Sequence, residues 1–147
     1  MRIKFKKLRE GATPPSHGSK YAAGYDLYAC INNDHNCVVV APHTTEKVGT
    51  GLSIQPPNDY FGAIFARSGL ATKQGIRPAN CVGVCDEDYT GEYIIPIYND
   101  SNEKRIIKNG DRIAQLIFLP YLDVEFIETD NIESTERGDG GFGSTGK

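Results

Sequence analysis

The sequence predicts an all-β fold, a sandwich or barrel made of many short strands. Three observations carry that prediction. Apolar and polar residues alternate in short runs, helical periodicity is nearly absent, and Gly, Pro, Asn and Asp clusters interrupt the chain at short intervals. A length of 147 residues with 39% hydrophobic content matches one domain with a real core and leaves no room for a second.

Taken in order, Ile3 and Phe5 alternate with lysines, as in a strand with one wet face. Residues 13–19, with Pro14, Pro15 and Gly18, read as a loop. Residues 22–29 are apolar around a single acid, Asp26. Asn32 to Asn36 turn the chain into Val38, Val39 and Val40. Further strands are expected over Glu46 to Ile54, Tyr60 to Ala66, Val82 to Cys85, Tyr93 to Tyr98, Arg105 to Ile107, Ile113 to Leu119 and Val124 to Ile127. Pro42, residues 56–59 and Asn109-Gly110-Asp111 supply turns between them. Only Ser68 to Gln74 is suited to a short helix.

The stretch from Asn80 to Asn99 draws the most chemistry together. Two β-forming runs flank a polar segment with Thr90-Gly91, a pattern expected to form a β-hairpin. Asp86, Glu87, Asp88 and Glu92 crowd its tip. On an extended chain Asp86 and Asp88 share one face and Glu87 takes the other. Carboxylates this close raise one another's pKa, which suits a general base or a group beside a metal; a solvated acidic turn is the plainer alternative. A calcium loop is excluded. Asp86, Asp88 and Gly91 match the opening of an EF loop, but its twelfth position, which should be Glu, is Ile97.

Bulk properties narrow the class. A net charge of −3 with no basic stripe argues against a nucleic-acid surface. The first nine residues alternate charge with apolar side chains and lack a signal-peptide core, and no run reaches membrane-spanning length. An intracellular, cytoplasmic protein without membrane attachment is the expectation. Cys81 and Cys85 lie roughly 13 Å apart on an extended strand, too far to bridge. Cys30 and Cys37 face an intracellular context in which free thiols are the rule. Neither cysteine pair nor His17, His35 and His43 has metal-ligand spacing.

The last eleven residues, from Arg137 to Lys147, contain five glycines and one aromatic, Phe142. Such a segment buries too little apolar surface to order by itself and reads as a tail or as a flap that orders on a ligand. Letter matches to a dinucleotide fingerprint and to a P-loop fail because no helix follows. Glycine-rich backbone still exposes successive N–H groups to phosphate oxygens. Arg137, Ser144 and Thr145 add donors, and Phe142 offers a ring for stacking.

Five short motifs in order carry a resemblance that covers nearly the whole chain. They are residues 23–27 (Ala23 to Leu27), 67–71 (Arg67 to Ala71), 80–91 (Asn80 to Gly91), 110–116 (Gly110 to Leu116) and 137–146 (Arg137 to Gly146). Together they closely resemble the trimeric dUTP pyrophosphatases (dUTPases). The resemblance implies a jelly-roll-like subunit, with residues 1–136 as core and 137–147 as flap. It further implies a homotrimer with shared active sites and Mg²⁺-dependent hydrolysis of dUTP to dUMP and pyrophosphate, which keeps uracil out of DNA and supplies dUMP.

By that resemblance Asp86 aligns with the acid that activates water at the α-phosphorus, and Tyr89 with a ring that lies against the deoxyribose. Asn80, with Gly83, Val84, Cys85 and Ile94 around it, aligns with the uracil readers. Arg67, Ser68, Gly69 and Gln115 align with phosphate-site residues, and Asp26 with an acid that supports the metal through water. Arg137, Phe142, Gly143, Ser144 and Thr145 align with the closing flap. Buried donors arranged for uracil are left unpaired by cytosine, which gives the larger discriminations. Three positions depart from the family's usual residues: Ala66 replaces a proline, Thr90 an arginine and Cys85 a β-branched residue. Two rivals stand beside this reading: a dCTP deaminase of similar fold, which the glycine-rich tail argues against, and a nucleotide-sensing regulatory module as an added role.

Overall fold

The computed structural model describes residues 1–80 and 82–141. Among them the chain forms β1 (Lys4–Lys7), β2 (Ser16–His17), β3 (Tyr25–Tyr28), β4 (Cys37–Val40), β5 (Thr45–Gly49), β6 (Leu52–Gln55) and β7 (Tyr60–Phe65). There follow α1 (Ser68–Gln74), β8 (Ile76–Pro78), β9 (Gly83–Cys85), β10 (Ile94–Asn99), β11 (Arg105–Lys108) and β12 (Arg112–Pro120). The all-β expectation holds, and the single short helix falls where the sequence predicts it.

A five-stranded sheet runs β2-β3-β12-β7-β9, and a three-stranded sheet runs β5-β10-β8; β1 pairs with β6 and β11 with β4. The two larger sheets enclose the core. β10 shows why its residues make a strand: Ile95, Ile97 and Asn99 are buried, and the alternate Ile94, Pro96 and Tyr98 are less so. Leu27, Val48, Leu52, Ile54, Ile64, Ile76, Ile113 and Leu116 join them inside. Burial of each such aliphatic side chain contributes about 1.5–3 kcal/mol. Asn99 is the polar exception. Its amide donates to the Val40 and Glu103 carbonyls and its oxygen accepts from Ser101, so the buried group is satisfied.

Residues 80–99 do not form the expected β-hairpin. β9 pairs with β7 (Gly62↔Cys85, Ile64↔Gly83), whereas β10 pairs with β5 and β8. The connection over residues 86–93 therefore passes from one sheet to the other. A connection of that length does not impose register as a two-residue turn does. Burial of Ile95 and Ile97 then decides where β10 lies. Three smaller expectations also change. The run from Glu46 to Ile54 breaks at Gly51 (φ 68°), and its halves join different sheets. Ser16 and His17 pair with β3 inside the expected loop. Val124 to Ile127 form no strand: Phe126 is 94% and Ile127 78% exposed, since this segment meets no strand edge to pair with in the described chain.

Candidate active site

The candidate residues gather in two separate depressions on opposite parts of the five-stranded sheet. One is a slot of about 200 Å³ where β9 and β10 diverge, lined by Asn80, Gly83, Val84, Cys85, Asp86, Tyr89 and Ile94 among others. The other is an open cleft of about 420 Å³ beside α1, which includes Asp26, Arg67, Ser68, Gly69, Arg112 and Gln115. No lining residue is common to both. β12 and β7 lie between β3 and β9, so the cleft's acid and the slot's strand stand roughly 14 Å apart by strand spacing.

The slot follows from the failed hairpin. Because β9 and β10 join different sheets, their facing edges do not consume each other's backbone groups. The four acids of the β9–β10 connection have different fates. Glu92 pairs with Arg9, and Glu87 accepts from the Asp59 N–H at 2.7 Å. The carboxylates of Asp86 and Asp88 make no hydrogen bond or ion pair among the described residues, and of these two only Asp86 lines the slot. Tyr89 folds back so that its hydroxyl donates to the Glu92 carbonyl at 3.0 Å. A Cβ on Gly91 would stand 2.5 Å from that hydroxyl, so the fold-back needs glycine there.

Beneath the slot, Tyr93 is buried and its hydroxyl has the Cys85 thiol beside it, but no partner in good hydrogen-bond geometry among the described residues. Burial pushes the Cys85 thiol up to about 11 from its ordinary 9.0; Tyr93 opposes the shift and the Asp86 charge adds to it. Burial, and then the neighbouring Cys85, raise Tyr93 as well.

The cleft is organised by Asp26, only 8% exposed on β3. Its Oδ1 accepts from Arg67 Nε at 2.8 Å and its Oδ2 from Arg112 Nη1 at 3.1 Å. Arg112 reaches it because the β3–β12 register shifts between Arg112 and Ala114, the kind of irregularity that re-aims a side chain. Gln115 lies opposite Asp26 and donates to the Ala66 carbonyl at 2.8 Å, which ties β12 to the entry of α1. A Cβ on Gly24 would come within 2.6 Å of Gln115 Oε1. Lys73 also lines the cleft, so three cations face one carboxylate, a balance suited to a polyanion.

Sequence reasoning missed Arg112, Lys73, Arg9 and Tyr93 as contributors; it placed Glu92 among the acids of the tip but not its pairing with Arg9. Arg112 stood inside a quoted motif, but its aim depends on the bulge; Arg9 and Glu92 lie too far apart in the chain for any local pattern to join them. Arg137 is exposed, its Nε donating to the Gly140 carbonyl at 2.9 Å. Phe142, Gly143, Ser144 and Thr145 lie outside the described residues, as does Cys81. Cys30, Cys37 and Cys85 are free. No helix is long and apolar enough to cross a membrane.

A family model described as dUTPase matches residues 10–146. The chain is 42% identical over 149 residues to a deoxyuridine 5'-triphosphate nucleotidohydrolase of Desulfitobacterium hafniense, covering 99% of this chain and 97% of that one. It is 42% identical over 147 residues to the protein of the same name from Nautilia profundicola, covering 100% of both. A solved Staphylococcus bacteriophage 80alpha dUTPase mutant with dUpNHpp superposes with a TM-score of 0.87 at 26% identity, covering 99% of each chain. The family model spans nearly the whole chain and the full-length relatives agree with it: the chain belongs to the dUTPase family.

Proposed function

We propose that the protein hydrolyses dUTP to dUMP and pyrophosphate, with Asp86 as the general base that takes the proton of the water attacking the α-phosphorus. The observation that carries this reading is the unengaged Asp86 carboxylate at the mouth of a strand-lined slot, while Asp26, Glu87 and Glu92 are all held by donors. An unpaired carboxylate is available to accept a proton; one already saturated by arginine is not. Exposed backbone of β9 and β10, with Asn80, reads the uracil edge, and the Tyr89 ring lies against the deoxyribose. Arg67, Ser68, Gly69 and Gln115 hold the phosphates, helped by Arg112 and Lys73. Arg137, Phe142, Gly143, Ser144 and Thr145, in the flap of residues 137–147 that follows the 1–136 core, close over the site.

Mg²⁺ fits the donor set. Among the described residues no group of three or more His, Cys, Asp or Glu side chains is arranged to hold a metal. Asp26 offers a single carboxylate, and each oxygen already accepts one arginine hydrogen bond. That would suit an ion that keeps several waters, with Asp26 holding it through one of them. Bound with the triphosphate, the ion neutralises charge and polarises phosphoryl oxygens. In-line displacement at phosphorus otherwise needs positioning and charge stabilisation, which the arginines supply.

A homotrimer with shared sites is part of the proposal. Base-side and phosphate-side residues occupy separate depressions with no common lining residue. Leu122, Phe126 and Ile132 are at least 84% exposed on a segment that leaves the core, apolar surface suited to cover by another copy of the chain. The free thiols fit a reducing compartment such as the cytoplasm.

Pyrophosphate release measured across dUTP, dTTP, dCTP and UTP tests the activity. Release from dUTP alone is expected. Ammonia release from dCTP identifies a deaminase instead, and no turnover of any of the four overturns the proposal.

A further inference from the structure

We infer that Arg9, remote from the slot in sequence, is a positioning residue that sets sugar selectivity by holding Glu92 and, through it, the Tyr89 ring. The inference rests on the proposed reaction, in which that ring meets the sugar.

Arg9 follows β1, and its guanidinium grips Glu92 on the far side of the β9–β10 connection. Nη1 donates to Oε2 at 3.1 Å, and Nη2 donates both to Oε1 and, at 3.2 Å, to the Cys30 carbonyl. The Gly51 N–H donates to the same Oε1 at 2.8 Å. The Glu92 side chain is only 17% exposed, so bidentate pairing and a backbone donor act in a partly dry setting where they are strong. Gly49 makes room, since a Cβ there would overlap both the Glu92 carboxylate and Arg9 Nη2.

Neighbouring contacts carry that hold forward to the slot. The Ser53 hydroxyl donates to the Thr90 carbonyl at 2.9 Å, and the Tyr93 N–H to the Leu52 carbonyl at 2.8 Å. Residues 90 and 93 are thereby stitched to the start of β6. Tyr89 has one side-chain hydrogen bond among the described residues, from its hydroxyl to the backbone carbonyl of Glu92. Its ring is therefore tied to the backbone of residue 92 and rests beside the Tyr93 ring, while Arg9 and the Gly51 N–H hold the side chain of that same residue 92. Without that grip, Glu92 carries a poorly solvated charge that is relieved by moving outwards, which pulls on the backbone of residue 92 between its fixed neighbours and shifts the carbonyl that anchors Tyr89. A displaced ring leaves room for a ribose 2′-hydroxyl.

The test uses Arg9→Met, which keeps the apolar stem but removes the fork, and Arg9→Lys, which restores the charge without bidentate geometry. Two readouts are taken on the full-length protein: the ratio of kcat/KM for dUTP to that for UTP, and the 19F resonance of 3-fluorotyrosine at position 89, assigned with Tyr89→Phe. Arg9→Met is expected to lower the ratio about tenfold, the scale of discrimination set by pocket shape, mostly through KM, and to shift or broaden the Tyr89 resonance. Arg9→Lys should fall between it and wild type. An unchanged ratio and an unmoved resonance, with only the melting temperature lowered, overturns the inference and leaves a plain structural ion pair. If Arg9→Met does not fold, Arg9→Lys decides by the same two criteria. A wild-type protein inert towards dUTP defeats the proposed reaction instead; the resonance then decides the Arg9–Tyr89 linkage on its own.

Discussion

The Tyr93 hydroxyl lies 3.0 Å from the point where a Cβ on Gly62 would sit. A side chain on β7 at this point would crowd both the tyrosine beneath the slot and Leu116, whose Cδ1 lies 3.1 Å from the same position. Gly62→Ala should destabilise the fold by about 1–3 kcal/mol, the usual cost of overpacking a core. Tyr93→Phe, which removes a buried hydroxyl without a well-aligned partner, should be close to neutral, and adding it to Gly62→Ala should recover part of the loss, the Leu116 contact remaining. Urea unfolding of the two single variants and the double variant at one protein concentration checks this. Additive effects would show that the two residues do not compete for the same space.

Asp26→Asn should weaken the fold as well as phosphate binding, because it removes the charge that two guanidiniums share. Breaking a buried pair costs about 3–5 kcal/mol. Arg112 is about half exposed and Arg67 a quarter, so a discounted loss of about 1–2 kcal/mol is expected here. Chelation with EDTA should behave differently, suppressing turnover while leaving the melting temperature unchanged, since no protein cage is present among the described residues. Calorimetric scans with and without EDTA distinguish the two.

Asp86→Asn should lower kcat by about 10²–10⁴, the usual contribution of a general base, with little change in the affinity for a non-hydrolysable dUTP analogue. Single-turnover kinetics and equilibrium binding separate these quantities. Near-wild-type kcat would remove Asp86 from the proposed role.

The Cys85 thiol, pushed up to about 11 by burial, predicts an alkaline weakness. The folded state favours the protonated thiol more than the unfolded state does. Its contribution is therefore complete below the ordinary value of 9.0 and is lost as pH rises towards 11. Tyr93, raised in the same sense by burial and by Cys85, steepens the decline. Stability should fall from pH 9 upwards, and Cys85→Ala should flatten part of that fall. The rate of Cys85 alkylation by iodoacetamide should keep rising beyond pH 9 instead of reaching a plateau there.

Arg67→Ala and Asp86→Asn should complement each other if the two depressions meet across subunits. Each variant alone should retain little activity. Random co-refolding in equal amounts makes about three-quarters of trimers mixed, and each mixed trimer holds one complete site of three under cyclic symmetry, so activity returns to roughly a quarter of wild type. Verified mixing without recovery would mean that both halves of a site come from one chain, and the family assignment would still stand.

The sequence by itself determined what depends on neighbouring residues. Alternation marked the strands, the Asn109-Gly110-Asp111 turn separated β11 from β12, and Ser68 to Gln74 made the one helix, because pleat, turn and helix chemistry act over a few residues. The motif letters around Asp26, Arg67, Asp86 and Gln115 were likewise legible, since they are local runs of residues. What lay beyond reach depends on partners far away in the chain. Thr90-Gly91 looked like a hairpin turn, yet burial of Ile95 and Ile97 carried β10 to β5 and β8 and opened the slot. Arg112 stood inside the 110–116 motif with no role of its own, and only a bulge set by pairing with β3 turns it onto Asp26. Arg9 and Glu92 are 83 positions apart, and only closure of the sandwich brings their charges together. Local propensity writes the elements; long-range burial chooses their partners, and the site forms where those choices leave strand edges and charges facing one another.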